Sequence, residues 1–436
     1  MGKGGQGNKG GPKYLTWEEI KKHSIKTDRW IVIDGEVYDV TRWSDKHPGG
    51  SRLLGHYSGQ DATEPFIAFH NDLSHPKKFL KALHVGTLAL SEKQTKDIVE
   101  DFEELRKKAE KMGLFQPSYF FFAVVLLHIL ILEALSYLNM WYFGTGWIPW
   151  IVSVVLYSTV QAQVGWLQHD FGHLSVFKNS KIDHVLHQFT MGFIKGASAH
   201  WWNHMHYQHH AKPNVMGKDP DVRLEELFVV GETMPVKIAK KKKNSMPYNL
   251  QHKYFFVIGP PLLFPVYFQI MLFRHIFTRK KWLDLFTVSL FFAKLFYLYT
   301  PLLGVGGTIL FYFTIRCVES HWFTWVTQSN HIPMEIDEDK EEPWMPLQMH
   351  ATCDVEQSFF NDWFTGHLNF QIEHHLFPTM PRHNYYKVQP MVKELCKKHG
   401  IKHEVKKLST AFKDIVRTLK HSGELWYATY SAFHSD

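Results

Sequence analysis

Cysteine is scarce in this chain. Three of the 436 residues are cysteines, Cys317, Cys353 and Cys396, and they lie far apart. An odd and scattered set argues against a disulfide framework and is typical of a reducing compartment. The amino terminus is rich in Gly and Lys and has no apolar run, so we expect no cleaved secretory signal.

The chain also lacks a strong excess of one charge. It has 49 Lys and Arg against 42 Asp and Glu, which gives a net charge of +7 and a pI near 8.9. The basic residues form no single patch interleaved with aromatic residues, so nucleic acid is not an expected partner. The modest positive charge instead fits a protein on an anionic cytoplasmic membrane surface.

A mean hydropathy of −0.24 shows that the chain is not apolar throughout, yet it contains long apolar stretches. Residues 118–142 have Glu133 as their only charge and are long enough to span a bilayer, and residues 147–167 span back. The turn between them has no Lys or Arg, which places it outside by the positive-inside rule. Residues that follow position 167 then emerge on the cytosolic side.

Three further apolar stretches leave the later topology open: about 254–276, 285–303 and 305–326. If the histidine clusters described next share one site, an even number of spans must separate them. Lys294 lies at the centre of the second stretch and would cost roughly 2.5–3.5 kcal/mol to insert. We therefore expect 254–276 and 305–326 to span and 285–303 to be interfacial or re-entrant.

Histidines are concentrated in three short segments that contain no cysteine. They read HDFGH (His169, His173), HYQHH (His206, His209, His210) and QIEHH (Gln371, His374, His375). Residues at i, i+3 and i+4 share one face of a helix, so each segment can offer several side chains to one metal. Nitrogen ligands without thiolate suit iron, zinc or copper. Isolated histidines are usually surface or core residues, but three clusters at helical spacing favour a metal site.

The number of histidines indicates more than one metal ion. A tetrahedral zinc needs four ligands, and the three clusters alone provide seven imidazoles. We therefore expect two metals. Histidine-rich metals beside long apolar segments suggest oxygen activation on a lipid-like substrate.

A separate pattern occupies the first ninety residues. Residues 30–40 predict two strands around an Asp-Gly turn, and Thr16 is a plausible N-cap of an earlier helix. The motif HPGG follows at His47, and His70 lies further on in a helical region. Residues 15–90 resemble the cytochrome b5 domain, and by that resemblance His47 and His70 are the two axial ligands of haem b. Two axial imidazoles leave no open position for oxygen, so such a haem transfers electrons. No CxxCH motif occurs, so we expect no covalent haem attachment.

The three histidine segments resemble the boxes of the membrane-bound fatty acyl desaturases. The N-terminal cytochrome b5 domain and the Gln that opens the third box are similar to the front-end subgroup, of the vertebrate Δ6/Δ5 polyunsaturated acyl-CoA type. The resemblance covers about residues 15–430 and implies two non-haem irons. The ligands it implies are His169, His173, His206, His209, His210, His374 and His375, with His331 expected after the last span. Gln371 would be a weaker, neutral oxygen ligand, and His204 and His200 are runner-up ligands.

The same resemblance implies a reaction and partners. Electrons pass from NADH through a separate cytochrome b5 reductase and the fused haem to the di-iron centre. With O2, a cis double bond forms in a polyunsaturated acyl-CoA, at Δ6 in preference to Δ5. The acyl chain would lie in an apolar tunnel, for which Trp201, Trp202, Trp322 and Trp363 are candidates, although interface or core roles are more common for such residues. The implied location is the endoplasmic reticulum membrane, multi-pass, with both termini and the active site cytosolic.

The resulting expectation is a mostly α protein with an N-terminal α+β cytochrome b5-like domain. A multi-span helical membrane domain with a cytosolic di-iron helical cap follows. The expected segments are a tail (1–14), the haem domain (15–90), a linker helix (91–117), the membrane domain (118–380) and a cytosolic tail (381–436). Three alternatives stay open: lipid hydroxylation or sphingoid-base desaturation on the same scaffold, a non-catalytic membrane-tethered cytochrome b5, and a membrane zinc hydrolase.

Overall fold

Short β-prone runs at the start of the chain and long apolar runs after them produce two different architectures. In the computed structural model the chain divides into two units, Met1–Asp101 and Phe102–Asp436. The structure describes residues 13–89, 97–177, 179–241 and 246–434. The expected tail therefore lies almost entirely outside the described residues, as does the first part of the expected linker.

The first unit combines a five-stranded sheet with short helices. Its elements are β1 (Tyr14–Leu15), α1 (Trp17–Lys22), β2 (Ser24–Ile25), β3 (Asp28–Ile33), β4 (Glu36–Asp39), α2 (Ser51–His56), α3 (Thr63–Phe69), α4 (Ser74–Leu83) and β5 (His84–Leu88). The strand order is β1-β5-β4-β3-β2, and β1 pairs in parallel with β5 while the other neighbours are antiparallel. The α+β prediction for this part of the chain is confirmed.

The predicted Asp-Gly turn joins β3 to β4. Asp34 and Gly35 both have positive φ, 53° and 74°, which is the two-residue turn that matches the twist of a hairpin. In the resulting register Val32 pairs with Val37, and both side chains are fully buried. They pack with Leu15 to form the core of this unit.

The second unit is built almost entirely from helices. It contains most of α5 (Asp97–Lys111), then α6 (Tyr119–Phe143), α7 (Trp147–Gly172), α8 (Ser180–His187), α9 (Ala199–Ala211), α10 (Thr233–Ala239), α11 (Gln251–Leu262), α12 (Gln269–Arg279), α13 (Trp282–Ser329), α14 (Trp344–Ala351), β6 (Asp354–Val355), α15 (Phe359–Thr365), α16 (Gln371–Leu376), α17 (Tyr385–Lys398), β7 (Val405–Lys406) and α18 (Leu408–His434). Two π-helical stretches, Gln188–Ile194 and Leu263–Phe268, interrupt the apolar part.

Two long helical hairpins form a bundle. One is α6 and α7. The other is α13, whose backbone breaks at Gly304 (φ 70°, ψ 170°) into the arms 282–303 and 305–329. The hydroxyl of Ser136 on α6 lies 3.1 Å from that of Tyr299 in the first arm and donates to the carbonyl of Ser153 on α7. The turn between α6 and α7 and the break at Gly304 therefore lie at the same end of the bundle.

The charge in the middle of the first arm of α13 has a partner. Lys294 forms an ion pair with Glu133 of α6, and its ammonium lies 4.5 Å from the centre of the Phe193 ring. The expectation that 285–303 stays at the interface rested on an isolated lysine in hydrocarbon. Pairing lowers that cost, because the opposite charge of Glu133 partly neutralises the ammonium.

The segment from α11 to α12 begins and ends at the other end of the bundle. At its start the Phe255 ring lies 5.4 Å from that of Trp325, near the end of α13. At its end it leads into Trp282, and Asp284 contacts His200 of α9. Both ends of the segment thus lie at the end that carries the histidines. This arrangement differs from the expected one, in which 254–276 crosses from one side to the other.

By length and apolar composition, four helical segments among the described residues are able to cross a membrane. They are Tyr119–Phe143, Trp147–Gly172, Tyr248–Arg279 and Trp282–Ser329. The last has 48 residues, enough for two passages because about 20 residues span the hydrocarbon core. These helices are candidate membrane spans by their length and composition.

Candidate metal centre

The three histidine segments lie on helices that meet at one end of the bundle. His169 and His173 stand at the end of α7, and His206, His209 and His210 lie on α9. The third segment forms the six-residue helix α16, which carries Gln371, His374 and His375. His331 follows α13 directly.

Five imidazoles form a first group. Their nitrogens all lie within 4.8 Å of one another, and the residues are His169, His173, His206, His210 and His374. The Nε2 atom of His206 lies near the middle of the group, 3.1 Å from that of His169, 2.8 Å from that of His173 and 3.1 Å from that of His210. These contacts join α7 to α9, two helices that are far apart in the sequence.

A second group adjoins the first. It consists of His209, His331 and His375, all buried, with ring centres 4.5–5.0 Å apart. The side-chain amide nitrogen of Gln371 lies 2.9 Å from Nε2 of His331. The His375 ring also stacks on that of His210, with centres 4.1 Å apart, so the two groups are in direct contact.

Groups that the sequence analysis did not identify orient these rings. Nδ1 of His374 lies 2.9 Å from the Tyr385 hydroxyl, and Nδ1 of His375 lies 2.9 Å from the Gln348 amide oxygen. Nδ1 of His331 lies 3.0 Å from the Ala351 carbonyl, and Nδ1 of His209 lies 2.9 Å from the Asp219 carboxylate. When Nδ1–H donates to such an oxygen, the Nε2 lone pair is free to bind a metal. No local pattern marks Tyr385, Gln348 or Ala351, because each is brought to its ring by tertiary packing.

Burial keeps most of these imidazoles neutral. It lowers the pKa of His331 to about 3 and holds the pKa values of His210, His374 and His375 well below the ordinary range. His209 differs. Burial lowers its pKa, but the charges of Asp219 and Asp221 outweigh that effect and raise it to about 9. Binding a metal through His209 therefore releases a proton at neutral pH.

The donor atoms fit two metal ions. Nε2 of His374, Nε2 of His375 and Oε1 of Gln371 are buried and have no hydrogen-bond partner. Nitrogens 2.8–3.1 Å apart are also close to the edge length expected around a metal with imidazole bonds of about 2.1 Å. Neutral nitrogens and an amide oxygen, without thiolate, are ligands that iron accepts.

Other histidines near the clusters have different neighbours. The His200 ring lies 2.8 Å from the Asp284 carboxylate, and the His204 ring lies 5.5 Å from that of His275. Neither belongs to any of the four groups of possible metal ligands found among the described residues, of which the two histidine groups above are the all-imidazole ones. Of the four tryptophans considered for a tunnel, Trp202 stacks on His206 with ring centres 4.2 Å apart. Trp201 is buried against Phe268.

The remaining two tryptophans lie on the side of the bundle. The Trp322 ring on α13 lies 5.5 Å from the Trp363 ring on α15. Both residues are half-buried. Neither ring contacts the two histidine groups in the part of the chain that the structure describes.

The first unit places the rings of His47 and His70 opposite each other. Their ring centres are 6.4 Å apart, and the rings are inclined by 69°. Nδ1 of His70 lies 2.7 Å from the Phe66 carbonyl, which leaves its Nε2 for a metal. Burial, and then the nearby His70, lowers the pKa of His47 to about 4, so this imidazole is neutral. A side chain at Gly49 would approach the His47 ring to 3.1 Å and would require the end of the Leu53 side chain to move.

Comparisons with known proteins match both parts of the chain. A model of the fatty acid desaturase family matches residues 145–406, and a model of the cytochrome b5-like haem/steroid binding domain matches residues 16–89. The first match covers more than half of the chain, which therefore belongs to the fatty acid desaturase family. Among solved structures the chain is similar to cytochrome b5 of Ostreococcus tauri virus 2, with 36% identity over 17% of this chain and 95% of that chain and a TM-score of 0.17.

Membership defines the class of enzyme. The family consists of oxygen-dependent di-iron oxidoreductases, so the predicted enzyme class is confirmed. The cytochrome b5-like domain binds haem, and the histidine clusters of the desaturase domain are compatible with a di-iron site. The chain thus joins an electron-carrying domain to a fatty acid desaturase domain.

Proposed function

We propose that this protein is a front-end acyl-CoA desaturase that places a cis double bond between the carboxyl end and the existing double bonds of a polyunsaturated chain. Δ6 is the favoured position and Δ5 the next. The observation that carries the proposal is the pair of adjoining ligand groups at one end of an apolar helical bundle. The fused haem-type domain and the Gln that opens the third box support the front-end assignment.

We assign the irons to the two groups of residues. His169, His173, His206, His210 and His374 would hold one iron, and His209, His331, His375 and Gln371 would hold the other. Oε1 of Gln371 is buried without a hydrogen-bond partner, so this oxygen is available to bind the metal. His204 and His200 are not included, because each ring has its neighbours elsewhere.

When bound, two irons supply the activation of O2 that removes hydrogens from two neighbouring methylene carbons. With two electrons and two protons, the products are the alkene and two waters. The chain's own residues hold the ligands in place: Asp219, Gln348 and Tyr385 fix three of the ring orientations. Trp202 covers one face of His206 and limits access of water to it.

His47 and His70 would be the axial ligands of haem b, which supplies one-electron transfer when bound. Two imidazole ligands would leave no free position for oxygen on the haem iron, so the bound haem would transfer electrons rather than bind oxygen. NADH, through a cytochrome b5 reductase, is the proposed electron source. The other partners are the acyl-CoA substrate, O2 and membrane lipid.

The membrane arrangement that we propose follows from the two hairpins. α6, α7 and both arms of α13 would span, and the segment from α11 to α12 would stay on the histidine side, since both of its ends lie there. An even number of spans then separates the three histidine segments. The turn without Lys or Arg faces away from the cytosol, so the di-iron end and both termini are cytosolic, in the endoplasmic reticulum membrane.

A feeding assay tests this function. The chain is expressed in yeast, which supplies a reductase, with 18:2n-6 and 20:3n-6 given in separate cultures, and products are identified by gas chromatography. A new Δ6 bond on the first acid or a new Δ5 bond on the second is expected. Cells expressing His206→Ala serve as the inactive control, because that ring is at the middle of the first group.

Other results would contradict the proposal in distinct ways. Hydroxylated products, or unsaturated sphingoid bases in the lipid extract, would assign a different oxidation to the same centre. An intact haem spectrum with no non-haem iron would leave only the electron-transfer domain active. Zinc in place of iron would favour a hydrolase.

A further inference from the structure

A short helix before the third histidine segment packs on the side of the bundle. α15 (Phe359–Thr365) begins at Ser358, whose hydroxyl accepts from the Asn361 amide, and ends at Gly366 in the left-handed conformation. The Trp363 ring lies 6.5 Å from that of His128 on α6 and 5.5 Å from that of Trp322 on α13. The helix therefore lies against spanning helices, not on the histidine-bearing end above them.

The last carbonyls of α15 receive hydrogen bonds from two of these helices. The Gln163 amide on α7 donates to the Trp363 carbonyl at 2.9 Å, and the Trp322 indole on α13 donates to the Phe364 carbonyl at 2.8 Å. Carbonyls at a helix end have no partner within the helix, and water usually satisfies them. In hydrocarbon there is no water, so non-helical backbone is tolerated only where the protein itself supplies donors.

The donors also give the depth of α15. Gln163 precedes His169 on α7 by six residues, which corresponds to about 9 Å along the helix axis. Trp322 precedes Ser329 at the end of α13 by seven residues, or about 10 Å. Both positions lie on the side of the histidines that points toward the turn and the break at Gly304. α15 thus reaches below the histidine-bearing end into the apolar part of the bundle.

The outer face of α15 is aromatic and uncovered. Phe359 is 92% exposed, more than Phe120 of α6 at 80%, and Phe360 is 54% exposed. Phe360 stacks on Phe364, which stacks on Trp322, so the exposed rings continue the aromatic surface of α13. Two adjacent phenylalanines facing water would lose the stabilisation that apolar side chains gain from burial.

We infer that residues 356–366 form a re-entrant membrane segment whose Phe359 and Phe360 contact the hydrocarbon chains of the lipid bilayer. The surface is continuous with the lipid-facing side of α6 and α13, and the inference rests on the membrane arrangement proposed above. Its polar ends fit this position. Glu356 and Gln357 are exposed at the start, where the Glu356 amide donates to the Lys406 carbonyl, at the level of headgroups.

The segment is tied to the ligand that follows it. The Asp362 carboxylate accepts from the Asn369 amide at 2.9 Å, and the Thr365 hydroxyl lies 3.0 Å from the Asn369 amide oxygen. Gln371 comes two residues later. A lipid-anchored α15 therefore fixes one end of the segment that presents the third set of ligands.

Spin labels in nanodiscs test the lipid contact. In a Cys317→Ala background of the full chain, a nitroxide is attached at Phe359→Cys or Phe360→Cys, and collision with O2 is compared with collision with a water-soluble nickel chelate. Val124→Cys, on the lipid-facing side of α6, is the membrane reference, and Lys402→Cys is the aqueous reference. Mass spectrometry checks that buried Cys353 and Cys396 remain unlabelled.

The expected ratio of O2 to nickel collisions at positions 359 and 360 equals that at 124 within about twofold and exceeds that at 402 by tenfold or more. A ratio like that of position 402, or low accessibility to both reagents, would overturn the inference. A second experiment needs no substitution: a phosphatidylcholine with a photoreactive diazirine in its acyl chain is irradiated with the native chain. Adducts on the peptide that contains 356–366 are expected, and adducts on α6 without any on this peptide would contradict the inference.

Neither readout depends on the substrate or on turnover. Lipid contact without desaturation would leave the re-entrant segment in place and reject the proposed function. Desaturation without lipid contact would support the proposed function and reject the re-entrant segment.

Discussion

The two units of this chain bury opposed imidazoles in different ways. In the first unit one pair, His47 and His70, faces across a gap between a loop and the end of a short helix. In the second unit, eight imidazoles and one amide converge from α7, α9, α16 and the end of α13. The first arrangement offers two ligands to a cofactor that brings its own four nitrogens. The second must supply nearly every ligand itself.

That difference determines what surrounds the rings. In the haem-type unit one backbone carbonyl, that of Phe66, orients His70. In the desaturase unit, ligand rings are oriented by an acid, an amide, a phenol and a carbonyl. A metal without a macrocycle depends on the protein for geometry, so each ring needs its own support. We therefore expect substitutions in one unit to leave metal binding in the other unchanged, and the losses of activity to differ in size.

The largest effect is expected for His206→Ala. The ring lies within 3.1 Å of three other ligand nitrogens, so its loss opens the middle of the first group. Desaturation should fall at least 100-fold and non-haem iron should drop, while the haem spectrum stays unchanged. Iron analysis of purified protein, with product yield in yeast, measures both.

The matched control is His204→Ala on the same helix. Its ring neighbours His275 rather than the ligand groups, so iron content should be retained. Loss of iron in both variants would mean that α9 acts through its fold and not through particular rings.

The converse variant, His70→Ala, tests the first unit. Losing one of two axial ligands should remove the haem absorption band, while non-haem iron in the second unit stays unchanged. Without added cytochrome b5, reductase-driven turnover should fall by an order of magnitude or more. His84→Ala, which removes a surface contact with Glu36 and a ring contact with Tyr38, should keep the haem. Parallel loss of haem and iron in His70→Ala would contradict the separation of the units.

Much of this comparison is visible in the sequence, and the reasons differ between the units. The HPGG motif, the Asp-Gly hairpin and the QIEHH segment are local, because each depends on residues within one turn or one helix. His47 is predicted as a haem ligand through the resemblance of its HPGG motif to the cytochrome b5 domain. The box histidines and Gln371, by contrast, can be recognised as candidate metal ligands from their spacing. Their division into groups of five and three cannot, since it depends on how α7, α9 and α16 pack.

The orienting residues and the bundle topology depend on contacts between distant segments. Tyr385 reaches His374 only because α17 folds back on α16. Lys294 looked like an objection to membrane insertion because Glu133, its partner, lies in another hairpin. A short stretch of sequence contains only one residue of each such pair. Without the partner residue, hydropathy alone cannot distinguish a membrane-spanning helix from an interfacial one.

An intermediate effect is expected for Tyr385→Phe. The change removes the hydroxyl that lies 2.9 Å from Nδ1 of His374 and leaves the ring packing intact. Removing an orienting partner of a metal ligand typically costs 10–100-fold in metal affinity or activity, and a value in this range is expected here. Iron retention during dialysis against a chelator measures affinity directly.

Tyr386→Phe is the control for this prediction, because the neighbouring side chain is 48% exposed. Equal effects of the two substitutions would show that the phenol matters for the stability of α17 and not for the orientation of His374.

The smallest effect is expected for Gln371→Ala, and it sharpens the comparison most. Gln371 is the one amide among imidazoles, and its buried Oε1 has no hydrogen-bond partner. A neutral amide oxygen binds a metal more weakly than an imidazole. Its loss should therefore reduce activity roughly tenfold, at the lower end of the 10–100-fold range seen when groups around a metal site are removed. Iron content should fall by less than in His375→Ala, where an imidazole of the same group is lost. Gln371→Asn, which keeps the amide on a shorter side chain, should lie between Ala and native if the amide binds the metal. An Asn variant no better than Ala, with iron unchanged in both, would assign Gln371 to packing against His331 and leave the second group with three protein ligands.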